Sequence, residues 1–332
     1  MYRVVGTSGL RVSTLGLGTA TFGVAPRESE AGALVDKALS AGINYIETAN
    51  TYGNQARFDR TGLPGWRERR SAEEIVGDAI RGRRDEVVLA TKVSEAIGDG
   101  PNDGGAVGGG LSRYHIMSQI ERSLDRLGVD HVDIYYAHHP DPATAVEETV
   151  QAMADLVRQG MTRYYALSTY NGWQLAEVVA AADRLGVPRP ICHQTRYSLA
   201  KRWIEAEVLP ATRHFHLSVA AFSPLGGGLL APSPADAAAP LGDARWGGPS
   251  FSDEEIATQI RFNELAAEWG IPSTHVALAW VLAQPGVVTA IVGPESCEQL
   301  TQLLPAAEIT LTQEQLTALN EVCPGPKGLW NQ

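Results

Sequence analysis

"IETANTYG", residues 46–53, runs from an apolar, β-prone segment (Ile43, Tyr45, Ile46) straight into a polar turn that closes on Tyr52 and Gly53. A carboxylate, Glu47, stands where the buried strand gives out, and a tyrosine follows five residues later. On its own the stretch has a plain reading: a strand end, a capping acid and a surface tyrosine. Its meaning depends on how many other strands end in the same way.

Outward from it, short β-branched runs recur at 15–19, 43–48, 86–92, 131–139, 163–169, 190–195, 217–225 and 286–293. Segments with three- and four-residue apolar spacing separate them. "YHIMSQIERSLDRLG" puts Ile116, Ile120, Leu124 and Leu127 on one helical face and stops at Gly128. "SAEEIVGDAIRG" opens with a Ser-x-x-Glu capping box, Ser71 to Glu74. "GWQLAEVVAAADRLGVP" ends in glycine then proline, a helix stop. Eight strands alternating with helices imply parallel strands joined by crossovers.

An open doubly wound sheet and a closed (β/α)8 barrel both satisfy that alternation. The turn "GLGTATFG" lacks G-x-G-x-x-G spacing, and no acid follows a second strand at the position a dinucleotide fold needs. We therefore expect an α/β fold of the (β/α)8 TIM-barrel type, with residues 1–332 as a single domain. Three long loops, 54–70, 94–111 and about 226–252, all follow strands. In a barrel they share the C-terminal mouth, where active sites are built.

Composition narrows the function classes. Hydrophobic residues make up 44% and charged residues 20%, an ordinary globular balance. A net charge of −11 argues against nucleic-acid or membrane-surface partners, which are polyanionic. Three cysteines, Cys192, Cys297 and Cys323, have no metal-motif spacing and cannot all pair within one chain. The opening "MYRVVGTSGLRVS" has charge and glycine where a signal peptide has an apolar core. A cytoplasmic chain in a reducing compartment is the expectation.

Glu47, Lys92 and His138 each end a different expected strand, and Tyr52 follows in the first of those loops. On a barrel rim these ends converge. Lys92 closes the apolar run "VVLATK", so it needs a counter-ion, which Glu47 supplies. A cation beside a phenol stabilises phenolate and lowers its pKa from about 10, which makes Tyr52 a usable proton donor. His138 would hold and polarise a carbonyl oxygen. Each residue alone also reads as packing, a structural ion pair or a polar turn; their joint placement points to a general-acid site for a carbonyl.

These residues also carry a resemblance. Along nearly its whole length the chain resembles an aldo-keto reductase, a (β/α)8 family that reduces aldehydes and ketones with NADPH or, less often, NADH. "IETANTYG" is similar to the family's Asp-Thr-Ala-x-x-Tyr-Gly motif, which implies Tyr52 as general acid, with Glu47 in the aspartate position. "ATK" implies Lys92 as the supporting lysine, and "DIYYAHHPD" selects His138 rather than His139. The resemblance implies Ser168 and Gln194 at the nicotinamide carboxamide and Phe222 stacked on its ring. It implies Ser223, Leu225 and Gly228 over the pyrophosphate, with Thr19, Gly293, Glu295 and Gln299 completing the cofactor set.

Departures from the family pattern cluster at the cofactor. Thr169 stands where an asparagine is usual, and Glu295 lies near the position of the basic residue that grips the 2′-phosphate of NADPH. No lysine or arginine occurs from 286 to 304. A weak preference for NADPH, or one for NADH, follows as an expectation. The loop 54–70 holds Arg57, Arg60, Arg67, Arg69 and Arg70, and reads either as a solvated segment or as a lid for an anionic substrate with Trp66 as a wall. The sequence thus describes a reductase of a small-molecule carbonyl. Two other readings stand beside it: a redox-neutral lyase, dehydratase or epimerase using the same Tyr/Lys/His set, and a non-catalytic nucleotide-binding subunit.

Overall fold

The fold is taken from a computed structural model, which describes residues 1–104, 110–231 and 250–326. A short antiparallel hairpin comes first, β1 (Tyr2–Val4) and β2 (Arg11–Ser13). Eight parallel strands follow: β3 (Leu15–Gly18), β4 (Tyr45–Glu47), β5 (Val88–Val93), β6 (Val132–Ala137), β7 (Thr162–Ser168), β8 (Cys192–Arg196), β9 (Ser218–Phe222) and β10 (Val287–Val292). They pair in chain order and close through β10 against β3, giving a barrel. Each of the eight expected runs overlaps one of these strands, the ends differing by a few residues. The hairpin was not foreseen.

Helices occupy the crossovers and follow the last strand. They are α1 (Glu28–Ser40), α2 (Ala72–Ala79), α3 (Arg113–Leu127), α4 (Val146–Gln159), α5 (Gly172–Leu185), α6 (Val208–His214), α7 (Asp253–Glu268), α8 (Ser273–Ala283), α9 (Cys297–Leu303) and α10 (Gln313–Val322). In α3, Ser112 caps the first turn by accepting from the His115 amide, and Gly128 ends the helix in the left-handed region at φ 63°. Its buried face contains Ile116, Ile120, Leu124 and Leu127, as their spacing requires. In α2 the Ser71–Glu74 box forms in both directions. No helix of the described residues is long and apolar enough to cross a membrane, and no described cysteine is disulfide-bonded.

Period-two alternation along the strands positions everything that follows. One side of each strand packs on the helices in a continuous apolar layer. The other side fills the barrel with Tyr45, Val88, Ala90, Ile134, Tyr136, Ala166, Cys192 and Ala220, while Val5 and Val12 of the hairpin segment join this inner cluster. The inner cluster is apolar except for its tyrosine hydroxyls, and Tyr45 and Tyr136 satisfy one another at 2.9 Å. Two residues further along the same strands the inward positions become Glu47, Lys92, His138, Ser168, Gln194 and Phe222. The core therefore ends in a polar layer at the C-terminal mouth.

Candidate active site

Lys92, the fifth residue of β5, is fully buried. An ammonium has three donors, and three acceptors surround this one. Thr48 O and Tyr52 Oη each lie at 2.9 Å, and the Glu47 carboxylate is in ion-pair contact. Burial pushes the Lys92 pKa well down, and the carboxylate of Glu95 opposes that shift. The longer glutamate is thus accommodated: Glu47 reaches Lys92 while the Tyr52 hydroxyl remains within hydrogen-bonding distance of the ammonium.

Tyr52 sits in the turn after β4, with its ring edge-on to Phe58 at 6.1 Å and to His138 at 5.9 Å. Its hydroxyl also lies 3.5 Å from Glu47 Oε1. The expected lowering of its pKa is not found. Burial raises it, the Glu95 carboxylate raises it further, and Arg57 opposes only in part. The phenol is therefore protonated at neutral pH, ready to give a proton rather than to take one.

His138 follows β6 and is 7% exposed. Burial, then the neighbouring Lys92 and His139, push its pKa well down, with Glu95 opposing, so the ring is neutral at ordinary pH. It stacks on His139, centroids 4.5 Å apart and planes 12° from parallel. The turn "HH" thus presents both rings, and His139 hydrogen-bonds at 2.9 Å with Thr169 Oγ1. Thr169 is held at φ 60°, a left-handed conformation that costs a β-branched residue about 1–3 kcal/mol. Its hydroxyl lies 2.9 Å from His138 O, so this departure from the family pattern serves the histidine turn.

Glu95 was missed from sequence. Its Oε2 accepts from Thr51 at 2.9 Å and from Arg57 at 2.5 Å, and its Oε1 lies 3.2 Å from His139 Nε2. Burial would raise its pKa, but His139, His138 and Arg57 outweigh burial and hold it well below the usual carboxylate range. The one signal available was an acid three residues beyond Lys92, at the start of a mouth loop.

The expected cofactor residues lie on the other half of the rim. Ser168 ends β7 and Gln194 stands beside it in register at the middle of β8; both are buried, and Ser168 Oγ and Gln194 Nε2 have no hydrogen-bond partner. A hydroxyl beside an amide donor suits a carboxamide, which offers one acceptor and one donor pair. Phe222 ends β9 between Arg196 of β8 and Ile291 of β10. Ser223 has φ 51°, and Leu225 leads into a 3-10 turn that ends at Gly228. Gly293 follows β10 with open space where a Cβ would stand.

Three of the set are already engaged. Thr19 Oγ1 donates to Glu47 O at 3.0 Å, and Gln299 Oε1 accepts from the Glu295 amide at 2.8 Å. The Glu295 carboxylate holds Arg60 from loop 54–70, at 2.9 Å and 3.5 Å. Four of that loop's five arginines are paired with carboxylates. Arg57 pairs with Glu95, Arg69 with Asp59, and Arg70 with Glu28 and Asp78, while Arg67 stacks over Trp66 at 4.3 Å. The expected third loop lies outside the described residues from 232 to 249, as do 105–109 of the second.

The sequence model of the Aldo/keto reductase family matches residues 14–323. This chain belongs to that family. Membership carries a general oxidoreductase function and a nicotinamide cofactor. The chain is 40% identical over 330 residues to the uncharacterized oxidoreductase YrpG of Bacillus subtilis, covering 98% of this chain and 97% of the relative. It is 34% identical to a probable voltage-gated potassium channel subunit beta of Oryza sativa, covering 97% and 96%. It is 30% identical to an L-glyceraldehyde 3-phosphate reductase of Escherichia coli, covering 99% and 94%.

Proposed function

We propose that the chain reduces an aldehyde or ketone of a small molecule, with NADPH or NADH as the reductant and Tyr52 as the proton donor. The observation that carries this reading is the 2.9 Å contact between Lys92 Nζ and the Tyr52 hydroxyl, beside the neutral ring of His138. A bound nicotinamide supplies the hydride for the carbonyl carbon. Ser168 and Gln194 would hold its carboxamide, and Phe222 would cover one ring face.

In this reading the Tyr52 hydroxyl gives its proton to the carbonyl oxygen as negative charge develops there. The Lys92 ammonium, held in place by Glu47, stabilises the resulting phenolate. His138, neutral and held against His139, donates to the same carbonyl oxygen and fixes its direction. Stacked apolar residues below the rim keep water from approaching from the barrel interior.

The cofactor reading is modified by Arg60. The segment 286–304 holds no basic residue, but Arg60 arrives from the loop and reaches Glu295. Arg60 would be the group that meets a 2′-phosphate, in competition with the carboxylate it already holds. A modest preference for NADPH follows, well short of what an uncontested arginine gives. An anionic carbonyl, such as the relative named for L-glyceraldehyde 3-phosphate takes, would compete with Glu95 for Arg57 in the same way.

The name of the Oryza relative keeps the subunit reading in view, and the paired Tyr52–Lys92 site argues for turnover. The test is stoichiometry with a panel of small aldehydes. One reduced cofactor consumed per alcohol formed is the expected result. Product without cofactor change would favour the redox-neutral reading, and tight cofactor retention without turnover the subunit.

A further inference from the structure

The residues beside the proposed catalytic set are hydrogen-bonded to one another across four neighbouring turns. Thr51 precedes Tyr52 beyond β4, Glu95 lies in the loop after β5, His139 follows His138 beyond β6, and Thr169 follows Ser168 beyond β7. These four strands are consecutive in the barrel. Thr51 Oγ1 donates to Glu95 Oε2 at 2.9 Å. Glu95 Oε1 lies 3.2 Å from His139 Nε2, and His139 Nδ1 lies 2.9 Å from Thr169 Oγ1. An ionised carboxylate only accepts, so Nε2 of His139 carries the proton and donates to Glu95. In the neutral ring Nδ1 then accepts from the Thr169 hydroxyl.

Both ends of His139 are thus held, although its side chain is 45% exposed. Burial does not fix such a ring; its two polar partners do. Its face packs on His138, centroids 4.5 Å apart and planes 12° from parallel. His138 has no comparable hold of its own: its buried Nδ1 has no hydrogen-bond partner, and Glu95 Oε1 stands 3.7 Å away. The plane of the His138 ring is therefore set by contact, between the face of His139 and the Tyr52 ring at 5.9 Å. Turning His139 would break two hydrogen bonds and release that plane. With both nitrogens occupied by protein, His139 offers nothing to a substrate, so it acts through its neighbour.

We propose that His139, clamped between Glu95 and Thr169, is the positioning residue that holds the His138 ring at the angle needed to meet a substrate carbonyl oxygen. Through Thr51 the same chain of hydrogen bonds ties the Tyr52 turn to the His138 turn, which keeps proton donor and orienting ring at one spacing. The rate consequence rests on the carbonyl-reduction reading; the ring geometry does not. A misplacement of about 1 Å at a reacting centre costs on the order of 10²-fold in rate. Substrate and cofactor contacts made elsewhere are kept, so the loss falls on kcat rather than on KM.

The test uses the full-length protein and two readouts. In steady-state reduction of a small aldehyde, His139→Ala should lower kcat by about ten- to a hundredfold, with KM and cofactor affinity within about twofold of wild type. Thr169→Ala, which loses the hydroxyl, should lower kcat by about tenfold, and Thr169→Ser, which keeps it, should restore the rate to within about twofold. In the cofactor-free protein, NMR of the imidazole nitrogens should show His139 as a single Nε2–H tautomer. The carbon-bound ring protons of His138 should shift in Thr169→Ala and return to their wild-type positions in Thr169→Ser. A wild-type kcat in His139→Ala, or equal losses in Thr169→Ala and Thr169→Ser, would overturn the positioning role and leave carbonyl reduction standing. Unchanged His138 ring shifts in Thr169→Ala would overturn the clamp even in a protein that reduces no aldehyde, so either reading can fail without the other.

Discussion

The Tyr52 hydroxyl lies 2.9 Å from one cation and, through its raised pKa, keeps its proton at neutral pH. Tyr52→Phe retains the ring and its edge contacts with Phe58 and His138 but removes the transferable proton. Turnover should fall by roughly 10²-fold or more while cofactor affinity holds, as steady-state rates and cofactor titration will read. Near-normal turnover would move the acid role to His138. Glu95→Gln removes a charge that raises the phenol pKa, so the alkaline limb of the pH–rate profile should move to lower pH; an unmoved limb would deny the coupling. At this scale Glu47, Tyr52, Lys92 and His138 were legible because each ends or follows an apolar run. Glu95 was not, because loop geometry alone brings it back over the mouth. The phenol's raised pKa was hidden because burial of Tyr52, its larger cause, and the nearby Glu95 both arise only in the fold.

Strand alternation explains why those residues share a rim. Tyr45 and Glu47, Ala90 and Lys92, and Tyr136 and His138 are each separated by two residues, so one face carries first core and then chemistry. Gly16 belongs to this packing: a Cβ there would stand 2.6 Å from the Tyr45 ring, which is buried and cannot yield. Gly16→Ala should cost about 1–3 kcal/mol by overpacking, measured as a shift in urea midpoint. In β8, burial pushes His193 down to about 3, and its Nε2 accepts from the Tyr170 amide at 3.0 Å. The unfolded histidine titrates near 6.5, so between the two values only the unfolded chain takes the proton. The stability this ring confers is therefore present above about pH 6.5 and lost as pH falls towards 3, at up to about 1.4 kcal/mol per unit. Denaturation from about pH 7 to 4 should show a slope of this sign, to which the likewise lowered His138 adds, and His193→Gln, which keeps an acceptor, should reduce it. The strands and capped helices were readable from period and punctuation. The hairpin was not, since its three-residue strands are too short for any period to register.

Across the molecule, loop 54–70 is fastened to distant parts of the chain: Arg57 to Glu95, Arg60 to Glu295 and Arg70 to Glu28. The sequence showed five arginines but not that three of them, Arg57, Arg60 and Arg70, reach carboxylates far away along the chain. It therefore left open both a free surface loop and a lid. Arg60→Ala should cost NADPH roughly tenfold in affinity and leave NADH unchanged, the value of one charge-assisted hydrogen bond. Glu295→Gln should do the reverse by freeing Arg60. Equal losses for both cofactors in Arg60→Ala would show that the pair only holds the loop. The central claim is that this barrel passes a hydride to a carbonyl carbon. Reduced nicotinamide cofactor with both hydrogens of the transferring carbon replaced by deuterium is supplied with a small aldehyde, and the alcohol is read by mass spectrometry. One deuterium on the carbinol carbon for each cofactor oxidised is the expected result; product that forms without deuterium would rule out hydride transfer.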